Sequence, residues 1–230
     1  HLPPAEAAPP PAPQAVSGKP QQPADDVTLR SQLEAIIARA QLDDDYIPSL
    51  FPGIRQGLLS TAYGAREVIT GGHAWVEPIL RSPEDVYELP HPDFTHQGVA
   101  ADYLETIRYF RVATGGRLPI QMPDMQGPLD LANNLWGTES LLLAMQEAPE
   151  AVHRLLAKMA DDYIRYMRLV REAAEGDWVP MHCMPVIWMP PSLGVALSED
   201  LLAVVSPALY RRFGVPYNER IAQAFGSVVI

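Results

Sequence analysis

Pro149-Glu-Ala-Val-His-Arg-Leu-Leu-Ala-Lys-Met-Ala-Asp-Asp-Tyr-Ile-Arg-Tyr-Met-Arg-Leu-Val170 sets the fold class. Val152, Leu155, Leu156, Met159, Tyr163, Tyr166, Met167 and Val170 fall at offsets 0, 3, 4, 7, 11, 14, 15 and 18, one face of an α-helix. Pro149 suits the first helical position, where its missing N–H costs nothing, and Gly176 supplies a stop. An apolar stripe this long is what a helix covering one side of a sheet presents.

Strand signals flank it. Upstream, Leu118–Met122 is a short strand-like run broken at Pro123, followed by helices over Leu129–Leu135 and Glu139–Gln146. Downstream, Trp178–Met189 is apolar and β-prone, with Pro180 and Pro185 limiting regular pairing. Further out, Val99–Thr114 is a helix burying Tyr103, Leu104, Ile107 and Phe110 and stopping at Gly115-Gly116. Arg66–Thr70 and Ala74–Leu80 are strands on either side of Gly71-Gly72, and residues 54–63 form a short helix. Ser82-Pro83 opens another short helix through Leu89, and Ser206-Pro207 one that reaches Phe225 with a kink at Pro216. Leu29, Leu33, Ile36, Ile37 and Ala40 mark one more amphipathic face. Strands alternating with long helices imply parallel βαβ units in an α/β protein.

Composition narrows the function classes. The 230 residues are 47% hydrophobic, enough for a real core. No run approaches the roughly 18 apolar residues of a membrane span. Acidic side chains outnumber basic ones, 28 to 17, for a net charge of −11, which opposes nucleic-acid backbones. The single cysteine, Cys183, excludes an internal disulfide framework and fits a reducing, cytoplasmic setting. Eight of the 24 prolines lie in the first 24 residues, where large apolar side chains are almost absent. Residues 1–26 are therefore expected to be a disordered tail, and 27–230 the globular part.

Gln126-Gly127-Pro128-Leu129-Asp130-Leu131-Ala132, with Trp136-Gly137-Thr138-Glu139 and Ala148-Pro149-Glu150-Ala151-Val152, resembles the uroporphyrinogen decarboxylase family. Ser206-Pro207-Ala208-Leu209-Tyr210, Val215-Pro216-Tyr217, Tyr63-Gly64-Ala65-Arg66-Glu67 and Val76-Glu77-Pro78-Ile79-Leu80 are similar to the same family in order and spacing. The resemblance covers about residues 44–230 and implies a (β/α)8 TIM barrel. With roughly four core strands read from this chain against the barrel's eight, and Ser227-Val228-Val229-Ile230 reading as a strand, we expect its N-terminal portion.

The resemblance also implies where chemistry lies. The family's decarboxylases place an aspartate, in a Ser-Asp-Ile-Leu context, against pyrrole N–H groups. Counting back from Gly64, Arg55 or Gln56 holds that place here, and Asn134 stands where the decarboxylases carry a tyrosine. Arg or Gln in place of that carboxylate cannot hold the pyrrole donors in the same way. The resemblance therefore favours the family's other branch, methyl transfer involving a corrinoid or small methylated substrate, with a corrinoid protein as a further partner. Uroporphyrinogen decarboxylation and a non-catalytic binding barrel are the alternatives. In the methyltransferases zinc is held by His-x-Cys and a later Cys, positions that fall beyond Ile230.

Barrel active sites form at the C-terminal ends of strands. Asp124, Gln126 and Asn134 follow the strand at Leu118–Met122 and are the leading candidates, Asp124 for catalysis or as a turn aspartate, the two amides for substrate binding. Arg55 and Gln56 are further substrate-binding candidates, the guanidinium suiting a carboxylate or else a surface ion pair. His182 could donate a proton inside a barrel, but adjacent strand residues point to opposite faces, so His182 and Cys183 cannot easily share one metal ion. Asp130 and Asn133 read as caps of their own short helix, and Glu199-Asp200 as caps of the helix they begin or as pocket residues. His73, His91, His96 and His153 read as solvated.

An open parallel sheet ending at Val228-Val229-Ile230 leaves an apolar edge that templates association. Several hundred Å² of exposed apolar surface forfeits on the order of 10 kcal/mol at about 25 cal/mol per Å². The 230-residue chain alone is thus expected to self-associate on size-exclusion chromatography; a monodisperse monomer with a sharp cooperative melt is the contrary result.

Overall fold

The computed structural model describes residues 14–15, 22–53, 56–71, 73–176, 178–179, 181–183 and 186–230. Most of the Pro-rich tail lies outside them. Within it, β1 (Gln14–Ala15) pairs antiparallel with Ile69 and Val68. Helix α1 runs over Gln22–Arg39, so helix begins five residues before the boundary expected at Val27. Only part of its stripe meets the core: Leu29 is buried and Leu33 and Ile36 half-buried, while Ile37 and Ala40 are exposed.

A 3₁₀ turn at Ser60–Tyr63, ended by Gly64 in the left-handed region, replaces the helix expected over residues 54–63. After it, β2 (Arg66–Thr70) and β3 (His73–Glu77) form an antiparallel hairpin registered Arg66↔Glu77 to Thr70↔His73. The short helix α2 is confined to Asp85–Glu88, where the Asp85 carboxylate accepts from the N–H groups of Arg81 and Ser82. Helix α3 (Gly98–Thr114) buries Tyr103, Leu104, Ile107 and Phe110 as its periodicity requires.

Strand β4 is short, Ile120–Gln121, followed by α4 (Pro128–Trp136), α5 (Thr138–Glu147) and α6 (Pro149–Ala173). All eight residues of the predicted α6 stripe are at most 1% exposed. The helix packs against α2, α3, α4 and α5 on this side of the chain. The apolar run after it divides into β5 (Trp178–Val179), β6 (Met181–Cys183) and β7 (Val186–Trp188), separated near the two prolines. Next come β8 (Val195–Ala196), a 3₁₀ turn at Asp200–Ala203, α7 (Pro207–Phe213), α8 (Val215–Phe225) and β9 (Val228–Val229). The kink expected at Pro216 in the helix from Ser206-Pro207 is a full break, dividing it at Gly214 and Val215-Pro216, because proline fits only a first turn.

The protein is α/β, and its parallel pairings join strands separated by helices. Leu50 bridges Ile120, β4 pairs parallel with β5, and β8 pairs parallel with β9. Gln126 adds a parallel bridge to Ser198. The other described pairings, β1–β2–β3 and β6–β7, are antiparallel. Against the expected (β/α)8 barrel, the described sheets are small and not closed. Two-residue parallel strands carry too few ladder hydrogen bonds to run round a barrel, and the hairpins interrupt the parallel series.

A carboxylate of α6 lies inside this packing. Asp162 of α6 is 1% exposed; its Oδ2 accepts from the Tyr63 hydroxyl and its Oδ1 lies 3.0 Å from Arg165 and 3.5 Å from His91. Lys158 Nζ is 3.9 Å away and also 2.8 Å from His91 Nδ1, so His91 is engaged and not merely solvated. Burial first, then the Asp162 charge, holds the Tyr63 phenol protonated, well above the usual phenol range. Removing one member of a buried ion pair costs about 3–5 kcal/mol. At roughly 2–4 °C per kcal/mol for a domain of this size, Asp162→Ala should lower the melting temperature by about 10 °C. A calorimetric shift below about 2 °C would show that Asp162 does not hold α6 to the segments around Tyr63 and His91.

Candidate functional site

The segment leaving β4 is held by backbone. Met122 N–H donates to Val179 at 3.0 Å, Ser198 N–H to Met125 at 2.9 Å, and Gly127 N–H to Ser198 at 2.7 Å. Residues 122–127 therefore run between the end of β5 and the segment after β8, in the position of a strand-end loop. Pro123 forces the exit from the ladder, and Pro128 at the first position of α4 ends the loop by starting a helix.

Two candidate residues meet at this segment, and a third lies on it. Asn134, two turns into α4, donates its side-chain N–H to Gln126 Oε1 at 2.6 Å, and both are half-buried. Asp124 is half-buried two residues before Gln126. Behind it, burial and secondarily the Asp124 charge keep the Tyr163 phenol neutral. Tyr163 is fully buried and donates to the Ala196 carbonyl at 2.9 Å, which ties α6 to β8 beneath the loop. Of the remaining candidates, Gln56 alone has a described side chain. Gln56 is exposed. Arg55 lies outside the described residues, as do the side chains of residues 181–188, His182 and Cys183 among them.

Two carboxylates read as local caps do something else. Asp130 accepts from the N–H groups of Asp200 at 2.7 Å and Leu201 at 2.9 Å, so it caps the Asp200–Ala203 turn and not its own helix. Glu199 accepts from Leu129 N–H at 3.2 Å, capping the first turn of α4, and from Asn218 Nδ2 at 3.0 Å. Each acid caps the element that carries the other. Asn218 Nδ2 also reaches Tyr210 Oη at 3.1 Å. Burial pushes the Glu199 carboxyl up to about 7, against the hydrogen bonds from Asn218 and Leu129 and with help from Asp130. Burial likewise raises Asp130 to about 6, opposed by the Leu201 and Asp200 N–H groups. The sequence signal for this exchange was an acidic residue at each start, Asp130 in the first turn of α4 and Glu199 just before the Asp200–Ala203 turn; that the pairing crosses 70 residues of chain was not visible.

His153 also departs from the solvated reading. Its ring stacks on Phe213 at 4.6 Å and its Nδ1 lies 2.8 Å from Tyr217 Oη. Burial, then Arg212, lowers its pKa. An open groove of about 650 Å³, lined by Gly64, Arg66, Glu77, Pro78, Ile79 and Arg81, lies at the base of the β2–β3 hairpin and contains none of the candidate residues. Its Arg66 is already paired with Glu77. Among the described residues no group of three or more His, Cys, Asp or Glu side chains could hold a metal ion, so no zinc set is assigned to them. No described helix is long and apolar enough to cross a membrane.

The chain has relatives. The family model described as uroporphyrinogen decarboxylase (URO-D) matches residues 62–177, just over half of the 230 residues. The chain belongs to the uroporphyrinogen decarboxylase family. A methyltransferase from Methanosarcina mazei has a similar structure at 17% identity, with a TM-score of 0.60 over 91% of this chain and 59% of that one. At that identity the likeness is one of fold, and this chain spans about three-fifths of that protein's length. No curated protein matches the chain.

The raised carboxyls make stability depend on pH. Glu199 titrates at about 7 when folded against an ordinary 4.5, so between these values the folded chain keeps a proton that the unfolded chain has released. This contribution to stability is complete below about pH 4.5, shrinks as pH rises and is gone above about 7. Each tenfold difference in proton affinity between the folded and unfolded chain is worth about 1.4 kcal/mol, so the whole contribution is on the order of 3 kcal/mol. Glu199→Gln has no carboxyl to titrate, so urea unfolding of the variant should show a flatter decline from pH 4.5 to 7 than the native protein. Parallel profiles would mean that Glu199 does not keep its proton in the folded state.

Proposed function

We propose that the whole protein is a TIM-barrel enzyme that transfers a methyl group involving a corrinoid or small methylated substrate. The observation that carries this is the Asn134–Gln126 amide pair at the end of β4. Neutral amides bound to each other offer moderate donors and acceptors suited to a small, weakly charged ligand. Uroporphyrinogen is a polycarboxylate with pyrrole donors. It calls for several cations and a carboxylate placed for the N–H groups, whereas Arg55 is the one cation in the candidate set and either it or Gln56 stands where the decarboxylases carry their aspartate. The neighbouring Asp124 would oppose a polyanion further.

In this assignment Gln126, Asn134, Arg55 and Gln56 bind and orient substrate, Asp124 accepts or donates a proton beside it, and His182 is a second acid–base group. A corrinoid protein is the partner that methyl transfer would require. Zinc, when bound, would bring a nucleophile or an activated thiol to the reaction, and its ligands would be residues other than those described. The reducing cytoplasm is the compartment that suits such chemistry and a lone cysteine.

Full-length protein incubated with methylcobalamin and a thiol acceptor should consume the methyl–cobalt absorbance. Asp124→Asn should slow that reaction at least tenfold, in keeping with loss of a general acid–base group. Efficient conversion of uroporphyrinogen to coproporphyrinogen would overturn the proposal in favour of decarboxylation. Absence of both activities would overturn it in favour of a binding barrel.

A further inference from the structure

The Gly-Pro turn contains a glycine that its own backbone does not require. Gly127 has φ −71° and ψ 173°, a conformation open to any L-residue. The requirement comes from across the chain. A Cβ at position 127 would fall 2.5 Å from Glu199 Cγ and 2.7 Å from Glu199 Cδ, and against Oε1 of the same side chain. The space that a side chain would occupy is filled by the Glu199 carboxyl group. That group cannot retreat: Oε1 accepts from Leu129 N–H, Oε2 from Asn218 Nδ2, and the residue is 6% exposed. The backbone of the preceding residue, Ser198, is bonded on both sides of Gln126, through Met125 and Gly127. Gln126 is thus clamped between a two-point backbone bridge and a glycine on which a buried carboxyl rests, and its side chain is then met by Asn134 from α4.

We infer that Glu199 is a positioning residue that, by packing on Gly127 and capping α4, sets the orientation of the Gln126–Asn134 pair. The inference rests on the proposed assignment of that pair to the substrate site, while the coupling itself can be tested without any substrate. Glu199 acts on both halves of the pair at once. Contact with Gly127 fixes the turn that carries Gln126, and the hydrogen bond to Leu129 N–H fixes the start of the helix that carries Asn134. A shift of the loop against α4 would lengthen the 2.6 Å hydrogen bond between the amides, so the two contacts together hold the site's geometry. Groups facing Glu199 are Asp130 from α4, Tyr210 from α7 and Asn218 from α8.

The test is a double-mutant cycle on the full-length protein with two readouts. Gly127→Ala in the native background should lower the melting temperature by roughly 5 °C or more, as overpacking does. In the Glu199→Ala background the same change should cost less than about 2 °C, because the new methyl enters vacated space. Equal costs in the two backgrounds would overturn the contact. The second readout is the pair of side-chain amide NMR signals of Gln126 and Asn134, assigned by their loss in Gln126→Leu and Asn134→Leu. Glu199→Ala should move both signals. Glu199→Gln should leave them in place, since its amide oxygen can still accept from Leu129 N–H, and Asn218 Oδ1, without a partner among the described residues, can accept from the new amide. A purely structural Glu199 would lower the melting temperature and leave both signals unmoved; that result would overturn the positioning role.

Discussion

A phenol taken wholly out of water must find an acceptor, and two of them on one helix determine how this protein is assembled. Tyr163 and Tyr166 are both fully buried on α6. Tyr163 donates to the Ala196 carbonyl of β8 and Tyr166 to the Ala100 carbonyl of α3. An unsatisfied buried hydroxyl costs about 1–3 kcal/mol, so each bond restricts α6 to one register against its neighbour. The apolar stripe around them would tolerate rotation or sliding, because hydrophobic contact is not directional. The tyrosines remove that freedom. From α6 the order passes in two directions: through α3 to the N-terminal segments, and through β8 to the residues that lie beside the β4 loop.

The candidate site is a consequence of that placement together with a second constraint, the four or so unpaired N–H groups at every helix start. Neither α4 nor the Asp200–Ala203 turn has a side-chain cap from its preceding residue. Glu199 and Asp130 supply the missing acceptors crosswise. The exchange joins two loops that follow different strands, and the parallel bridge between Gln126 and Ser198 lies within the same joint. Its cost is the burial of two carboxyl groups, visible in their raised pKa values of about 7 and about 6. Such a joint gives the Gln126–Asn134 pair a rigid base without using a catalytic group for it.

Local signals were legible wherever a rule of short range applied. The α6 periodicity, Pro149 at its start, the buried face of α3 and the hairpin around residue 71 all follow from spacing, proline geometry and turn chemistry. Asp124, Gln126 and Asn134 stand out as candidates because a strand end followed by Gly-Pro marks where loops carry function. Misreadings occurred where a partner was distant. His153 looks solvated from its helix position, yet Phe213 and Tyr217 come from elsewhere to cover it. Asp130 and Glu199 look like caps of their own helices, because nothing within a few residues of either one announces the other.

By itself the sequence determined the element types, the family, the main core faces and the strand-end location of the candidate residues, since each depends on periods and motifs of fewer than about thirty residues. Only the tertiary structure decided which helix each buried acid caps, why position 127 must be glycine, and that the described strands form small open sheets. The physical reason is common to all three. Hydrogen-bond satisfaction and steric exclusion act between groups brought together by folding, here 70 residues apart for Asp130 and Asp200 and for Leu129 and Glu199, and a residue's own neighbours in the chain carry no record of them.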